Sequence, residues 1–454
     1  MRAAVAMVSA AVSVAVGGAP VAVAERDAGS GPEYSYLVLT DGLDGVDLAR
    51  AAVLRAGGEV VYGYPQIGVV VAHGDAALPR AVRGRPGVTG VGATRTVALP
   101  AAVPGAGRAM PDPAETEQWN LAMVGAYDAW RTTEGSPDVV VAVADSGVDD
   151  RHPDLAPNFD ASMSVDCSTG RPDQANAAWR APRSDHGTHV AGTIAAARDG
   201  AGVVGVAPRT RIAAVRVGDA DALFHAEASV CAFVWMGEHA AAGLRIANHS
   251  YYNDPWWTAC PDDEDQAVYA EAITRAAAFA TGRGVLSIAA MGNEGLDLAH
   301  KTQDPLSPTD AGRPEQPRPV TAACRNLPAE LPDVVAVSAL GASGRRAGYA
   351  NTGLGVVDLT APGGDGSAGG QGVLSTSRDG GWATKEGTSM AAPAVTGVAA
   401  LVAAEHPLWG PAEIAARLYA TATRLPCEAP CTVAGDVDAF HGHGRVDAAR
   451  AVGP

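Results

Sequence analysis

A serine stands where a glycine turn meets a long alanine-rich run, a position that suits nucleophilic chemistry. Residues 387–393 read Gly-Thr-Ser-Met-Ala-Ala-Pro, and the run 390–404 is predicted to be helical. Ser389 is therefore expected at a helix N-terminus, where unpaired backbone N–H groups and the helix dipole stabilise a developing anion. A capping serine occupies the same position. The catalytic interpretation requires a base and a carboxylate elsewhere in the chain.

An aspartate and a histidine at predicted element ends could supply them. Asp145 follows the apolar run 139–144, which predicts a buried strand, although a lone aspartate there is equally a turn former. His186 lies in residues 185–193, Asp-His-Gly-Thr-His-Val-Ala-Gly-Thr, which open a small-residue helix. A zinc pair of His186 and His189 is the competing interpretation. It is disfavoured because the segment lacks the HExxH glutamate and no third ligand is evident.

An asparagine completes the set. Residues 291–295 read Met-Gly-Asn-Glu-Gly and follow the predicted strand 285–290. Asn293 could be a plain turn former, or its amide could donate a hydrogen bond to an oxyanion. In a parallel sheet, functional groups collect at the carboxyl ends of the strands, where these residues are predicted to lie.

Composition limits the function classes. The 454 residues are 47% hydrophobic and 18% charged, which is typical of a globular chain of two or three domains. The formal net charge of -17 argues against a nucleic-acid partner and against an anionic membrane surface.

The N-terminus resembles an export signal. Residues 3–24 are uncharged and rich in alanine and valine, and Ala-Val-Ala at 22–24 predicts cleavage after Ala24. An uncleaved membrane anchor is the alternative. In an exported chain the six cysteines indicate disulfides, of which Cys427–Cys431 is the favoured pair; the other pairings stay open.

The chain divides into two predicted units joined by linkers. After a linker at 25–33, residues 34–98 show the order β-α-β-β-α-β of a small α+β, ferredoxin-like domain. Residues 99–117 are a linker rich in alanine, glycine and proline. From 118 to 454, strands alternate with helices, which predicts an α/β fold with a mostly parallel sheet between helical layers.

The order Asp145, His186, Asn293, Ser389 resembles the subtilisin-like serine peptidases. The matching segments are 141–148, 185–193, 292–293 and 387–393, with further matches at 152–155, 205–208 and 442–448. The resemblance covers roughly residue 118 to the end, and the order Asp, His, Ser is that of subtilisin. Residues 34–91 resemble the inhibitory pro-domain of that family by pattern and position.

The resemblance implies a role for each residue. Ser389 attacks the scissile carbonyl, His186 accepts and returns its proton, and Asp145 orients the imidazole. Asn293 and the Ser389 backbone N–H bind the oxyanion. His189 is not the base. The substrate-binding residues implied are the following: Ser250, Tyr251, Tyr252, Ala290, Met291 and Gly292.

Three features depart from the family pattern or add to it. The strand that flanks substrate usually reads Asn-x-Ser-Leu-Gly, whereas residues 248–252 read Asn-His-Ser-Tyr-Tyr. Tyr252 stands where glycine is usual and is expected to crowd the cleft. Trp256 and Trp257 could build an aromatic wall or simply pack in the core. The acidic run 262–265 is interpreted as a solvated helix start, with structural calcium as the alternative.

The sequence therefore predicts a secreted serine endopeptidase that acts on proteins or peptides and needs no cofactor for its chemistry. We expect a monomer without a stable membrane anchor, made as a zymogen that its own pro-domain inhibits and that cuts itself within residues 97–118. Two alternatives stay open: an inactive, peptide-binding relative, and an esterase that uses the same triad.

Overall fold

The computed structural model of this chain describes residues 33–42, 45–97, 115–311, 317–427 and 429–454. The predicted signal peptide at 1–24 lies outside these residues, as do nearly all of the linker 25–33 and residues 99–114 of the second linker. The leader and the maturation site therefore stay predictions.

The first unit is a four-stranded sheet with two helices on one face. Its elements are β1 (Tyr34–Thr40), α1 (Gly45–Arg55), β2 (Glu59–Tyr64), β3 (Val69–Gly74), α2 (Leu78–Val82) and β4 (Val88–Ala93). The strand order is β2-β3-β1-β4 and every pair is antiparallel. Because side chains alternate across a strand, Val38 and Val70 pack against α1 and α2, while Leu37 and Val71 face the second unit.

The second unit contains the remaining strands and helices. The strands are β5 (Val140–Asp145), β6 (Val165–Asp166), β7 (Arg211–Arg216), β8 (Leu244–His249), β9 (Leu286–Ala290), β10 (Gln303–Asp304), β11 (Arg318–Pro319), β12 (Val334–Leu340), β13 (Leu359–Pro362), β14 (Val373–Ser377), β15 (Gly381–Lys385), β16 (Val433–Ala434) and β17 (Val437–Asp438). The helices are α3 (Trp119–Met123), α4 (Ala126–Ala129), α5 (His186–Ala195), α6 (Ala226–His239), α7 (Glu264–Gly282), α8 (Thr388–Glu405), α9 (Pro411–Thr421) and α10 (Ala448–Val452).

Seven of these strands form one parallel sheet in the order β13-β12-β9-β8-β5-β7-β6. This confirms the predicted parallel sheet with helical layers. The apolar run 356–359 predicts the last strand, but that strand is observed at Leu359–Pro362. The sequence did not predict the antiparallel hairpin β14–β15.

Two apolar clusters cover the two faces of this sheet. On β5, Val141 and Val143 point toward α5 and α8, whereas Val140 and Ala142 point toward α6 and α7. A strand buried on both faces explains the continuous apolar run 139–144. Helix α8 is apolar and long enough to span a membrane, but 83% of it is buried inside the fold, as in a core helix.

Three disulfides crosslink the second unit. Cys427–Cys431 forms as predicted. Cys167–Cys231 ties the segment after β6 to α6, and Cys260–Cys324 ties two loops beside α7.

Candidate active site

The residues singled out in the sequence converge at the carboxyl edge of the parallel sheet. Asp145 ends β5, His186 begins α5, and Ser389 is the second residue of α8. Beside them lies a cavity of about 480 Å³. It is lined by Ser184, His186, Ala222, Leu223, Phe224, Ser250, Tyr251, Tyr252, Asp254, Ala290, Gly292, Asn293, Leu306, Thr309, Thr388 and Ser389.

Asp145 and the partly exposed His186 form a hydrogen-bonded pair. His186 Nδ1 lies 2.8 Å from Asp145 Oδ1 and 3.0 Å from Oδ2, and Oδ1 also accepts the Ser146 N–H at 2.6 Å. The Asp145 side chain is fully buried. Burial works to lower the pKa of His186, but the charge of Asp145 and its hydrogen bond outweigh burial and raise it. The pair therefore holds an imidazole whose Nδ1 is fixed and whose Nε2 is left for chemistry.

A glycine permits this close approach of α5 to β5. A Cβ on Gly187 would lie 2.9 Å from the Asp145 Cβ and closer still to the Gly147 carbonyl oxygen. Since real side chains do not come that close, a larger residue would push the first turn of α5 away from the strand end. The glycine after His186 is thus required by the geometry of the Asp145–His186 pair.

The Ser389 hydroxyl is held at the cavity by the neighbouring strand. Its Oγ donates to the Ser250 carbonyl oxygen at 3.2 Å, and Ser250 Oγ donates to the Ser389 carbonyl at 3.0 Å. In this arrangement Ser389 bonds to Ser250 and not to His186, although both side chains line the same cavity. Nucleophile–base hydrogen bonds are often looser in the absence of substrate.

The Asn293 amide is oriented by the residue before the serine. Asn293 Oδ1 accepts the Thr388 backbone N–H at 2.8 Å and the Thr388 hydroxyl at 3.0 Å. Because Asn293 Oδ1 already accepts two hydrogen bonds, the Nδ2 group is the part of the amide that can donate into the cavity. Thr388 Oγ1 in turn accepts the Gly292 N–H at 3.0 Å. The loop after β9 is therefore locked to the start of α8.

His189 has a structural role. Its ring is buried, and Nε2 lies 3.1 Å from the Val373 carbonyl oxygen and 3.0 Å from that of Ala383. Burial, helped by the nearby charge of Lys385, lowers the pKa of His189 to about 3. A buried imidazole whose Nε2 lies between carbonyl oxygens of β14 and β15 links the two strands of the hairpin to α5.

Five of the six substrate-binding residues named from the sequence line the cavity: Ser250, Tyr251, Tyr252, Ala290 and Gly292. Met291 does not. Its side chain is fully buried in the apolar cluster between the sheet and helices α6 and α7. Because successive side chains along β9 alternate in direction, Met291 points away from the cavity that its neighbours line.

Both tyrosine rings belong to residues that line the cavity. Tyr252, the residue expected to crowd the cleft, is part of the lining. Tyr251 stacks on Phe224 at 4.9 Å and its hydroxyl lies 3.1 Å from Ser229 Oγ, so it forms a wall of the cavity. Trp257 is fully buried and Trp256 packs against Arg318. Neither tryptophan is among the residues that line the cavity, so of the two alternatives left open for these rings the structure favours packing.

The acidic run 262–265 begins α7. Asp263 accepts the Gln266 N–H as the N-cap, and Glu264 and Asp265 pair with Arg83 of the first unit at 3.0 and 3.3 Å. Calcium in this run stays a prediction.

Sequence reasoning missed several residues that shape the site. Nothing in the sequence marks Thr388 as a functional residue except its place in the segment 387–393, which contains Ser389. Asn351 was also missed, yet its amide accepts the Glu294 and Leu296 N–H groups and donates to the Met291 carbonyl oxygen, which holds the loop that carries Asn293. Its signal, Asn-Thr-Gly before a predicted strand, is too common in turns to identify it. The cavity wall 222–224 carries no motif.

The chain was compared with known proteins. The sequence model described as the Subtilase family, Peptidase_S8, matches residues 136–444. Subtilisin E of Bacillus subtilis (strain 168) is 32% identical over 287 residues, which are 63% of this chain and 61% of that protein. Subtilisin BL of Lederbergia lenta is 32% identical over 312 residues, 69% of this chain and 93% of that protein.

Solved structures show the same fold. The epidermin leader peptide processing serine protease of Staphylococcus aureus aligns with a TM-score of 0.72 at 20% identity, over 93% of this chain and 98% of that one. A structure described as a lanthipeptide protease aligns with a TM-score of 0.57 at 25% identity, over 74% of this chain and 94% of that one.

Proposed function

The chain belongs to the subtilase family, and we propose that it is a serine endopeptidase that hydrolyses peptide bonds of proteins or peptides. The observation that carries this proposal is the cavity at the sheet edge, which is lined by His186, Ser389 and Asn293. Asp145 is hydrogen-bonded to His186, and Thr388 orients the Asn293 amide. The chain spans about 61% of the length of subtilisin E, so the proposed activity rests on the chain's own site.

In the proposed reaction, the Ser389 hydroxyl turns from the Ser250 carbonyl to His186 Nε2 and attacks the substrate carbonyl carbon. His186 accepts the hydroxyl proton, and Asp145 stabilises the imidazolium through Nδ1. The tetrahedral intermediate collapses when His186 donates that proton to the leaving amine. Water then enters, gives its proton to His186 and hydrolyses the acyl-enzyme, which frees the acid product and Ser389.

The developing oxyanion has two donors available. One is Asn293 Nδ2, since the two hydrogen bonds from Thr388 occupy Oδ1 and fix the orientation of the amide. The other is the backbone N–H of Ser389 in the first turn of α8, where N–H groups have no partner within the helix. Donors fixed before the reaction stabilise the transition state without reorganisation.

The first unit is proposed to act as an inhibitory pro-domain that is removed by self-cleavage. Leu37, Val69 and Val71 pack into the apolar cluster of α6 and α7, and Tyr64 donates to the Gly170 carbonyl oxygen at 2.8 Å. Beyond β4, Thr96 donates to Asp310, next to the cavity-lining Thr309. The unit thus covers the catalytic unit beside the cavity, with its C-terminal tail directed along the wall. Secretion is proposed from the leader-like residues 1–24.

A serine-directed phosphonate tests the proposal. Wild-type protein should form one stoichiometric adduct that maps to Ser389, and Ser389→Ala should form none while keeping its fold by circular dichroism. No adduct together with no hydrolysis of a diverse peptide library would support the inactive relative instead. Hydrolysis of esters but not of peptides would support the esterase, and a hydrolytically active Ser389→Ala protein would exclude this serine as the nucleophile.

A further inference from the structure

A buried ion-pair cluster joins the tail of the first unit to the wall of the cavity. Arg95 follows β4 by two residues, and its side chain is only 8% exposed. Its Nε and Nη2 both donate to Glu227 Oε1 at 3.2 Å, and its Nη1 lies 3.6 Å from Asp219 Oδ2. A planar guanidinium matches carboxylates placed side by side.

The carboxylates belong to the second unit, and with the ring of His225 they form what we name the acidic pocket: Asp219, His225 and Glu227. Glu227 is 1% exposed, and its Oε2 accepts no hydrogen bond from the described residues. Asp219 Oδ1 accepts two backbone N–H groups, and His225 Nε2 lies 3.4 Å from Oδ2. Burial works to raise the pKa of Glu227, but the charges of Arg95 and His225 outweigh it and lower that pKa. With Arg95 in place, the pocket therefore holds ionised carboxylates.

The acidic pocket adjoins the cavity that contains the candidate catalytic residues through the loop 219–225, since Asp219 accepts the N–H of the cavity-lining Leu223. Residues 222–224, between Asp219 and His225 in the chain, line that cavity together with His186 and Ser389. Arg95 enters the pocket from a tail that precedes the predicted maturation region 97–118. It therefore lies where a side chain on the amino side of a cleaved bond would lie.

The other ion pairs between the two units, made by Arg83, are more exposed than the Arg95 cluster. Arg83 docks the first unit on Glu264 and Asp265, whose side chains are 67% and 42% exposed. Exposed pairs of this kind add little binding energy. Arg95 instead enters an enclosed site with two carboxylates. When the first unit leaves, these carboxylates lose its cation, and another guanidinium can take the same place.

We propose that the acidic pocket is a substrate subsite for an arginine side chain, on the amino side of the scissile bond and separate from the pocket beside Ser389. The enzyme then prefers proteins or peptides that carry an arginine at a fixed distance before the cleaved bond. In the precursor, Arg95 occupies the subsite. This inference rests on the proposed peptidase function and adds to it the class of substrate.

The test is a set of internally quenched peptides with one arginine, moved stepwise through the residues before a common cleavage site. A partner set carries citrulline, which has nearly the same shape without the charge, at the same positions. Mature wild-type enzyme should show a ratio of kcat/KM for arginine over citrulline of about 10-fold or more at one position or two adjacent positions. Mass spectrometry of the products confirms that the cleaved bond stays the same.

Substitutions in the pocket tie this preference to its carboxylates. In Glu227→Gln and in Asp219→Asn, the arginine-to-citrulline ratio should fall, and in the double variant it should approach one. Asp221→Asn is the matched control: its side chain is 59% exposed and pairs with Arg183, so it changes the same charge nearby and should keep the ratio.

The outcomes separate the two proposals. A flat profile in wild-type enzyme that cleaves the peptides would overturn the arginine subsite and leave the peptidase standing, and this holds even if a pocket variant fails to fold. A preference that survives the double substitution would place the arginine in another pocket and also overturn the inference. A protein that cleaves no peptide and takes no phosphonate would refute the peptidase itself.

Discussion

His186 is the residue whose charge decides activity, since only the neutral imidazole can accept the serine proton. Asp145 raises its pKa above the usual histidine value of about 6.5. As the pH falls through this raised pKa, the imidazole becomes protonated and kcat/KM is lost. We therefore expect the acid limb of the pH profile of kcat/KM to have its midpoint above about 6.5.

Replacing the Asp145 carboxylate tests whether it is the cause of the raised pKa of His186. In Asp145→Asn the imidazole should titrate at lower pH, as followed by NMR of the ring protons in protein inactivated by Ser389→Ala. His189 is an internal control, because its pKa is lowered to about 3 and its signals should not move near neutral pH. A His186 pKa that does not change in Asp145→Asn would contradict the stated electrostatic cause.

Asn293 is predicted to act on the transition state. Asn293→Ala should lower kcat by about 10²–10³ with little change in KM, which is the size of the effect when the oxyanion-donor asparagine of subtilisin is removed. Steady-state kinetics on one good peptide substrate measures both terms. A defect confined to KM would argue for a role in substrate binding instead.

Thr388 is predicted to position that amide through its hydroxyl, which donates to Asn293 Oδ1 and accepts from the Gly292 N–H. Thr388→Val keeps the shape and should lower kcat more than it changes KM, by a smaller factor than Asn293→Ala. Thr388→Ser restores the hydroxyl and should recover most of the loss. If the serine variant is as impaired as the valine variant, packing explains the effect and not the hydrogen bonds.

Sequence reasoning located the residues that combine rare types with element ends, such as Asp145 after an apolar run. It could not find Thr388 or Asn351 as positioning residues, because their partners come from loops distant in the chain. It also misjudged Met291, whose backbone neighbours line the cavity while its side chain points into the core. Which side of a strand end faces a cleft depends on the register of the assembled sheet.

At the scale of elements, the close contact between α5 and β5 requires a glycine, which has no side chain, at position 187. In Gly187→Ala the new Cβ would collide with the Gly147 carbonyl oxygen, so we expect a loss of about 1–3 kcal/mol of unfolding free energy and a lower kcat. Gly282→Ala, at the end of α7 with nothing within 4 Å, should be neutral or slightly stabilising. Urea denaturation in the Ser389→Ala background avoids self-digestion. Equal stability of the two variants would show that α5 can shift without cost.

Elements whose own sequence has a strong hydrophobic pattern could be predicted, whereas elements positioned mainly by contacts with other elements could not. The parallel strands are continuous apolar runs buried on both faces, so their sequences carry the signal themselves. The hairpin β14–β15 alternates weakly and follows a glycine-rich loop, and it is fixed instead by contacts with α5, including Ser375 Oγ to the His189 carbonyl oxygen. Strand β13 begins at Leu359 and not at the start of the apolar run 356–359. The reason is that the N–H groups of residues 356 and 357 form turns by bonding to the Gly353 carbonyl oxygen, and the apolar pattern gives no sign of these turns.

At the scale of the whole molecule, the two units predict a precursor that cuts itself. Ser389→Ala should accumulate as a chain that retains residues before 97, whereas wild type should yield a shorter form with its new N-terminus within residues 97–118. Parallel sheets form from distant segments and fold slowly, so we also expect the first unit to assist folding of the second. N-terminal sequencing from a host that lacks other proteases distinguishes the forms. Processing of both proteins at the same bond would mean that another protease acts.

The disulfides Cys167–Cys231 and Cys260–Cys324 each close a loop of 64 residues. By the chain-entropy model, such a crosslink removes unfolded conformations worth about 4 kcal/mol, whereas the short Cys427–Cys431 clip restricts far fewer. Domains are stable by only about 5–15 kcal/mol, so these two bonds account for much of the margin. The folded state is then coupled to the redox poise of its surroundings: thiol reduction destabilises this chain without touching a native contact other than the S–S bonds, because it returns conformational freedom to the unfolded ensemble.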